Sequence, residues 1–364
     1  MKRLTEFDQL GDPTFSAAVI DWQRQHGRHA LPWQNTTDGY RIWLSEIMLQ
    51  QTQVAAVLTY YARFLDRFPT LEALAAAPSE DVMALWSGLG YYTRARNLHA
   101  CAKRVVAEYG GVFPNDPALL AQLPGIGRST AAAIAAFSSG TRAAILDGNV
   151  KRVFARVFGI DQYPGIKPVE DALWLRADAL LPESGIERYT QGLMDLGATL
   201  CTRSRPDCER CPLRERCVAF ATGRTAELPV RKPKKTKPEK RAAMLVIVDG
   251  GQVLLEQRAD SGIWGGLLSL PEVDGHGAFD TAMPDAAHAA GRFGAVEDMQ
   301  ALLPLVHVFT HYKLHIHPHK VALSQRAEAE AGYVWWNLVD IGKAPLPAPV
   351  KKLLAQLAEP NLFA

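Results

Sequence analysis

Residues 123–137 read LPGIGRSTAAAIAAF, and the reading of this stretch governs the rest of the chain. Gly125 and Gly127 close a tight Gly-x-Gly turn. The segment before it, FPNDPALLAQ, offers Asn115 or Asp116 as a helix cap ahead of Pro117. The pattern predicts two helices joined by a hairpin, in which backbone N–H groups and the start of the second helix face outward as a ready phosphate site. Taken alone, Gly-x-Gly is a weak signal and reads better as an ordinary helix–helix turn. Its place in a long helical region that runs on into a cysteine cluster moves the reading towards the phosphate site.

That helical region extends from Phe15 to about Phe220, where apolar residues recur at three and four and no strand alternation stands out. In FPTLEALAAAPSEDVMALWSGLG, Ser79 is expected to cap a helix ending at Gly88 or Gly90. The text then changes. RKPKKTKPEKR, residues 231–241, has seven basic residues, one acid and two prolines, a composition suited to an extended linker and not to a core. It also reads as a nuclear localisation signal, but its position between two domains favours a linker. Beyond it, AAMLVIVDGGQVLLEQR predicts two strands around Asp249-Gly250-Gly251. Further strands are expected at Leu302–Val308, in HYKLHIHPHKVAL and at Tyr333–Trp336, with a closing helix from Ala348 to Leu357. His311, His315, His317 and His319 fit one face of a strand better than a metal site. We expect residues 1–225 to form an all-α core that includes the cysteine loop (201–217), 226–241 a basic linker, and 242–364 an α+β domain.

Composition agrees with a multidomain globular protein. The chain has 364 residues, 48% apolar and 21% charged, which excludes a mostly disordered, collagenous or disulfide-scaffold protein. It lacks a run of about 18 apolar residues, and MKRLTEFDQLGD lacks the apolar core of a signal peptide. An intracellular, cytoplasmic protein without membrane association is expected.

Cys201, Cys208, Cys211 and Cys217 form a C-x6-C-x2-C-x5-C cluster, while Cys101 stands apart. Thiolate sulfur is the soft ligand that iron–sulfur centres and zinc select. Structural zinc more often uses two well-separated Cys-x2-Cys pairs, so a four-iron cluster is the preferred reading, with zinc and free thiols as alternatives.

Two carboxylates stand out. In WLSEIMLQQTQVAAVLTYYARF, from Trp43, helical spacing puts Glu46 on one face with Ile42, Leu49, Gln50, Gln53 and Val57. Partial desolvation there raises a carboxyl pKa and suits it to donate a proton; a buried Glu that only hydrogen-bonds glutamines is the alternative. In AAILDGNVKRVFARVFGI, from Ala143, Asp147 is placed to cap a helix, a role compatible with stabilising positive charge on a substrate.

SEIMLQQTQV, GLGYYTRARNL, LPGIGRSTA, ILDGNVKRV, MDLGATLCTRSRPDCERCPL and GIWGGLLSLPE together resemble the adenine DNA glycosylases of the MutY family, in the helix-hairpin-helix, endonuclease III-like superfamily. The resemblance spans nearly the whole chain in order. It implies an all-α helix-hairpin-helix glycosylase core with an iron–sulfur cluster domain, followed by an α+β Nudix-like C-terminal domain that inspects 8-oxoguanine. It further implies one 4Fe-4S cluster on Cys201, Cys208, Cys211 and Cys217, and a monomer acting on double-stranded DNA with A:8-oxoguanine or A:G mispairs. Glu46 matches the general acid and Asp147 the carboxylate that stabilises the cationic sugar. Gln51 and Tyr91 match residues that wedge into the duplex, where an aromatic replaces lost stacking. Gly125, Gly127 and Ser129 belong to the DNA-binding hairpin, and Trp33, Asn149 and Gln191 line the adenine pocket.

Phe309, Thr310 and His311 stand where the family presents a Phe-Ser-His loop to 8-oxoguanine, Thr310 keeping the hydroxyl. Strand-cutting relatives carry a nucleophilic Lys where this chain has Ser129, which has no amine for a Schiff base, so the expected enzyme is monofunctional. A Nudix-type nucleotide hydrolase is the rival reading, but the stretch after Pro271 lacks the Arg-Glu and paired-Glu run that holds magnesium. Formal charge is +2 overall, yet residues 231–241 alone carry +6, a cationic strap that predicts salt-sensitive DNA binding.

Overall fold

The computed structural model describes residues 11–233, 236–259, 262–273, 282–309, 311–328 and 330–358. The chain divides into two compact units. One comprises the chain up to Ala76 together with the part that resumes at Asn97; the other comprises Ala77–Arg96 and the C-terminal strands.

The first unit is helical. Helix Arg128–Ser139 sits at its centre, with Ala131 to Ala136 all buried. A run of alanine leaves little side-chain thickness, so neighbouring helices approach closely and pack on every side. Helix Gly39–Leu49 lies against it, and helix Pro13–His26 packs on helix Ile186–Asp195. Phe15, Phe154 and Tyr189 fill the core beside them with edge-to-face ring contacts. Of the two proposed caps before Pro117, Asp116 accepts the N–H of Ala118 at 2.8 Å.

Two local expectations change. Ser79 does not cap; it is the first residue of helix Ser79–Trp86, and Pro78 occupies the cap position without a side-chain bond. The helix expected from Trp43 to Phe64 is two, Gly39–Leu49 and Val54–Arg67, because Gln51 takes the left-handed backbone region at φ 57°. Gln53 and Val57 therefore belong to a different helix from Glu46.

The second unit carries strands β1 (Glu239–Asp249), β2 (Gln252–Gln257), β3 (Leu268–Ser269), β4 (Glu272–Val273), β5 (Gly294–Ala301), β6 (Leu305–Val308), β7 (Lys313–Arg326) and β8 (Tyr333–Asn337). They form one mixed sheet in the order β3-β2-β1-β7-β5, with β4 on β1, β6 on β7 and β8 on β2. Asp249 pairs with Gln252 across a two-residue turn in which Gly250 and Gly251 both have positive φ, the conformation that a tight hairpin demands. The central pair β1 and β7 is parallel, and Leu245, Ile247 and Val321 on it are buried in one core with Ala286 and Ala290 of helix Ala282–Ala290. Strand β1 begins at Glu239, so the last three residues of the basic segment pair with Lys313, Leu314 and His315. No helix among the described residues is long and apolar enough to cross a membrane.

Candidate active site

A cleft of about 860 Å³ opens in the helical unit, within the size range of small-ligand sites. Glu46, Asp147, Trp33, Asn149, Gln191, Gln51 and Ser129 all line it. Seven sequence-predicted residues, separated by as much as 158 positions, are thus brought to one concavity. Asp38 secures the helix that carries Glu46 by accepting the N–H groups of Tyr40 and Arg41 at 2.9 and 3.3 Å.

Glu46 is half-buried, and its pKa is raised from 4.5 to about 7, first by desolvation and then by the negative charge of Asp147. A group held there is protonated in a large fraction of molecules at neutral pH and gives up its proton readily. Asp147 caps helix Gly148–Val157, its Oδ1 accepting the Val150 N–H at 2.8 Å. Asn149 Nδ2 approaches its Oδ2 at 3.4 Å. Burial raises the Asp147 pKa while these donors and Arg152 oppose the rise. The two carboxyls therefore differ in kind: among the described residues Glu46 has no hydrogen-bond donor and is protonated in a large fraction of molecules at neutral pH, while Asp147 is met by donors that favour charge.

Arg152 organises this corner. Its Nη2 donates to Asn149 Oδ1 at 2.8 Å and to Gly197 O at 2.6 Å, and its Nε to Cys201 O at 2.7 Å. With Oδ1 so occupied, the Asn149 amide turns its N–H2 towards Asp147. The backbone at Gly197 lies in a five-residue π-helical turn, Leu196–Leu200, and a Cβ there would meet Asn149 Cβ at 2.5 Å. Only glycine permits that approach.

Ser129 Oγ accepts the Leu146 N–H at 3.0 Å, fastening the hairpin to the segment that delivers Asp147. Gly127 occupies the N-cap of helix Arg128–Ser139, and Gly125 has φ 77°. A Cβ at Gly125 would meet Asn97 Cβ at 2.9 Å. Neither glycine lines the cleft; Gln50 reaches from its rim towards Gly125 O, at 3.4 Å. Trp33 is buried and packs edge-to-face on Tyr61 at 5.3 Å.

A second cavity of about 610 Å³ lies within the other unit, lined by Tyr91, Trp264, His307, Phe309 and His311 among others. The Phe309 ring meets His307 edge-to-face at 4.5 Å and lies tilted against Tyr312 and Trp264 at 4.7 and 5.5 Å, and burial lowers the His307 pKa. Lys237, in the basic segment, donates to Phe309 O at 2.8 Å. Thr310 lies outside the described residues. Among the described residues the non-glycine positions with positive φ are Asn35, Gln51, Tyr91 and Trp264, and each lines a cavity. Backbone held in that region costs energy and gathers at functional sites.

Cys201, Cys208, Cys211 and Cys217 line one further cavity with Leu196, Leu200 and Leu213. Buried Arg156 donates to Cys201 Sγ at 3.3 Å and to Thr202 O at 2.7 Å. Among the described residues no three His, Cys, Asp or Glu side chains are grouped as a single metal ion requires. Sequence reasoning missed Arg28, Arg152, Arg156 and Asp195. Each acts by reaching a partner dozens of positions away, which no local pattern announces.

Comparison with known proteins fits this geometry. Residues 44–178 match the HhH-GPD superfamily of base excision DNA repair proteins, and residues 242–356 match the NUDIX domain. Over 352 residues, 96% of this chain and 99% of the relative, identity is 35% to the adenine DNA glycosylase of Buchnera aphidicola subsp. Acyrthosiphon pisum. The chain belongs to the adenine DNA glycosylase family. Human adenine DNA glycosylase is 31% identical over 400 residues, 93% of this chain and 73% of that protein. A thermostable thymine-DNA glycosylase of known structure superposes with TM-score 0.53 and 30% identity, over 57% of this chain and 96% of that one. Endonuclease III in a non-covalent DNA complex shares the fold at TM-score 0.50 and 21% identity, over 58% and 95%. As an adenine DNA glycosylase, the chain is a base excision repair enzyme acting on DNA, with a helix-hairpin-helix core and an α+β NUDIX domain.

Proposed function

We propose that this adenine DNA glycosylase is monofunctional and hydrolyses the N-glycosidic bond of adenine mispaired with 8-oxoguanine or guanine. A base inside a duplex is out of reach, so the adenine is extruded into the cleft, at a cost that a mismatch reduces. Glu46 protonates the adenine, turning it into a neutral leaving group, and afterwards takes a proton from the water that attacks C1′. Asp147 stabilises the positive charge on the sugar as the bond breaks. This division matches glycoside hydrolysis, in which two carboxyl groups in unlike environments take acid and stabiliser roles. The observation that carries the proposal is one cleft holding both carboxyls, one with its pKa raised to about 7 and one ringed by donors.

Gln51 and Tyr91 are the wedges in the duplex, and Gly125, Gly127 and Ser129 form the phosphate-binding hairpin. Trp33, Asn149 and Gln191 hold the flipped adenine, and Phe309, Thr310 and His311 read 8-oxoguanine. The enzyme acts as a monomer in which a basic linker joins the helical core to the recognition domain. The test is a duplex with adenine opposite 8-oxoguanine. Free adenine is expected, with no borohydride-trapped enzyme–DNA adduct, since the Ser129 hydroxyl cannot form an imine. Efficient trapping would instead mark a strand-cutting, endonuclease III-like enzyme, and magnesium-dependent hydrolysis of 8-oxo-dGTP a Nudix hydrolase.

The cysteine cavity fits a 4Fe-4S cluster. Four soft donors share one largely apolar cavity, and an arginine stands ready to offset thiolate charge. A cluster spreads its thiolates over four irons and does not require the tight grouping that one ion does. Cys201, Cys208, Cys211 and Cys217 would hold it, and their loop would be tied together by its binding. The purified protein is expected to be brown with broad visible absorbance; a colourless, zinc-containing preparation counts against the assignment.

A further inference from the structure

Asp195 is fully buried, and it serves two residues of the cleft at once. Its Oδ1 accepts Arg28 Nε at 2.7 Å and Gln191 Nε2 at 2.8 Å, and its Oδ2 accepts the Arg28 backbone N–H at 2.9 Å. A carboxylate paired with an arginine has only lone pairs to offer. The Gln191 amide must therefore turn its N–H2 to Asp195, and this follows from chemistry and not from how an amide is drawn. Gln191 Oε1 is left as the atom the side chain presents to the cleft, with no hydrogen-bond partner among the described residues.

We infer that Asp195 is a positioning residue that sets the polarity of Gln191, so that the cleft offers a hydrogen-bond acceptor to the exocyclic group of the extruded purine. Adenine carries an amine at C6, a donor, and pairs with Oε1. Guanine and hypoxanthine carry an oxygen at C6, which would face another oxygen there. Discrimination against 6-oxopurines then rests on a carboxylate that does not touch the base. The inference rests on the placement of the flipped adenine beside Gln191 proposed above.

Asp195→Asn is the informative change. An asparagine can donate to Gln191 Oε1, freeing the amide to reverse and present N–H2 to the cleft. Release rates are measured with adenine and with hypoxanthine opposite 8-oxoguanine, for wild type, Asp195→Asn and Gln191→Met. The ratio of the two kcat/KM values is formed within one preparation, so a partly unfolded variant does not distort it. In Asp195→Asn the adenine-to-hypoxanthine ratio is expected to fall about tenfold, the worth of one hydrogen bond. Gln191→Met, which removes both amide atoms, is expected to lower it as well. A lowered ratio in Gln191→Met with a wild-type ratio in Asp195→Asn overturns the role of Asp195 and leaves the pocket standing. An unchanged ratio in Gln191→Met overturns the pocket placement, and the inference with it. Should Asp195→Asn not fold, the double change Arg28→Met, Asp195→Asn removes the ion pair as a whole and is read by the same ratio.

Discussion

Glu46→Gln is expected to lower the rate of adenine release by about 10⁴-fold, the upper end of what one general acid contributes, while binding of the mismatched duplex is kept. Glutamine has the size and shape of glutamate and fills the same place on helix Gly39–Leu49, but it has no acidic proton. The large effect follows from the double use proposed for the carboxyl, first as acid to the base and then as base to the water. With Glu46 as the proposed acid, the protonated form would be the competent one, so the single-turnover rate should decline as pH rises through about 7, the value to which burial and the charge of Asp147 push Glu46. Full activity in Glu46→Gln sinks the assignment.

Stability gives an independent reading of the same group. With a folded pKa raised from 4.5 to about 7, the folded protein binds more protons than the unfolded chain between those values. The protonated carboxyl is tolerated below pH 4.5, and stability is lost as pH rises through about 7. Glutamine removes that loss. Thermal midpoints should therefore favour Glu46→Gln over wild type at pH 8 and converge near pH 4.5. A more stable but inactive variant is what a group strained by function produces.

Much of this site was legible because its residues sit where the backbone itself makes demands. Asp147 announced itself as a helix cap, Gly125 and Gly127 as a hairpin, and Gly250-Gly251 as a turn between strands, each from a few neighbouring residues. Family resemblance then gave those residues roles. What stayed hidden was of another kind. The helix break at Gln51 is a positive φ on an ordinary residue, which tertiary structure imposes and local propensity opposes. Arg28 and Asp195 are 167 positions apart, and the bond from Leu146 to Ser129 joins two motifs that read as separate. Patterns report which face of an element is apolar; they do not report which buried polar groups answer one another across it.

Asp147→Asn carries the second large expectation, a fall of about 10²–10³-fold in the rate of adenine release, comparable to the loss of one preorganised electrostatic contact. The residue does two jobs, and the choice of asparagine separates them. Asparagine caps a helix about as well as aspartate, so the Val150 N–H that now reaches Oδ1 at 2.8 Å keeps a partner and the fold is little disturbed. What is lost is the negative charge proposed to face the cationic sugar. Asp147→Ala removes charge and cap together; it should match asparagine in rate but cost about 1 kcal/mol more in stability. Equal stability with unequal rates would reverse the assignment of the two jobs. A further consequence concerns Glu46. Desolvation is the main reason its pKa is raised, and the charge of Asp147 adds to it, so neutralising Asp147 lowers the Glu46 pKa part of the way towards its ordinary value. The residual activity of Asp147→Asn should then lose its alkaline limb at a lower pH than wild type. A limb that stays in place would mean that the two carboxyls do not sense one another across the cleft, and the charge-stabilising role of Asp147 would have to be given up.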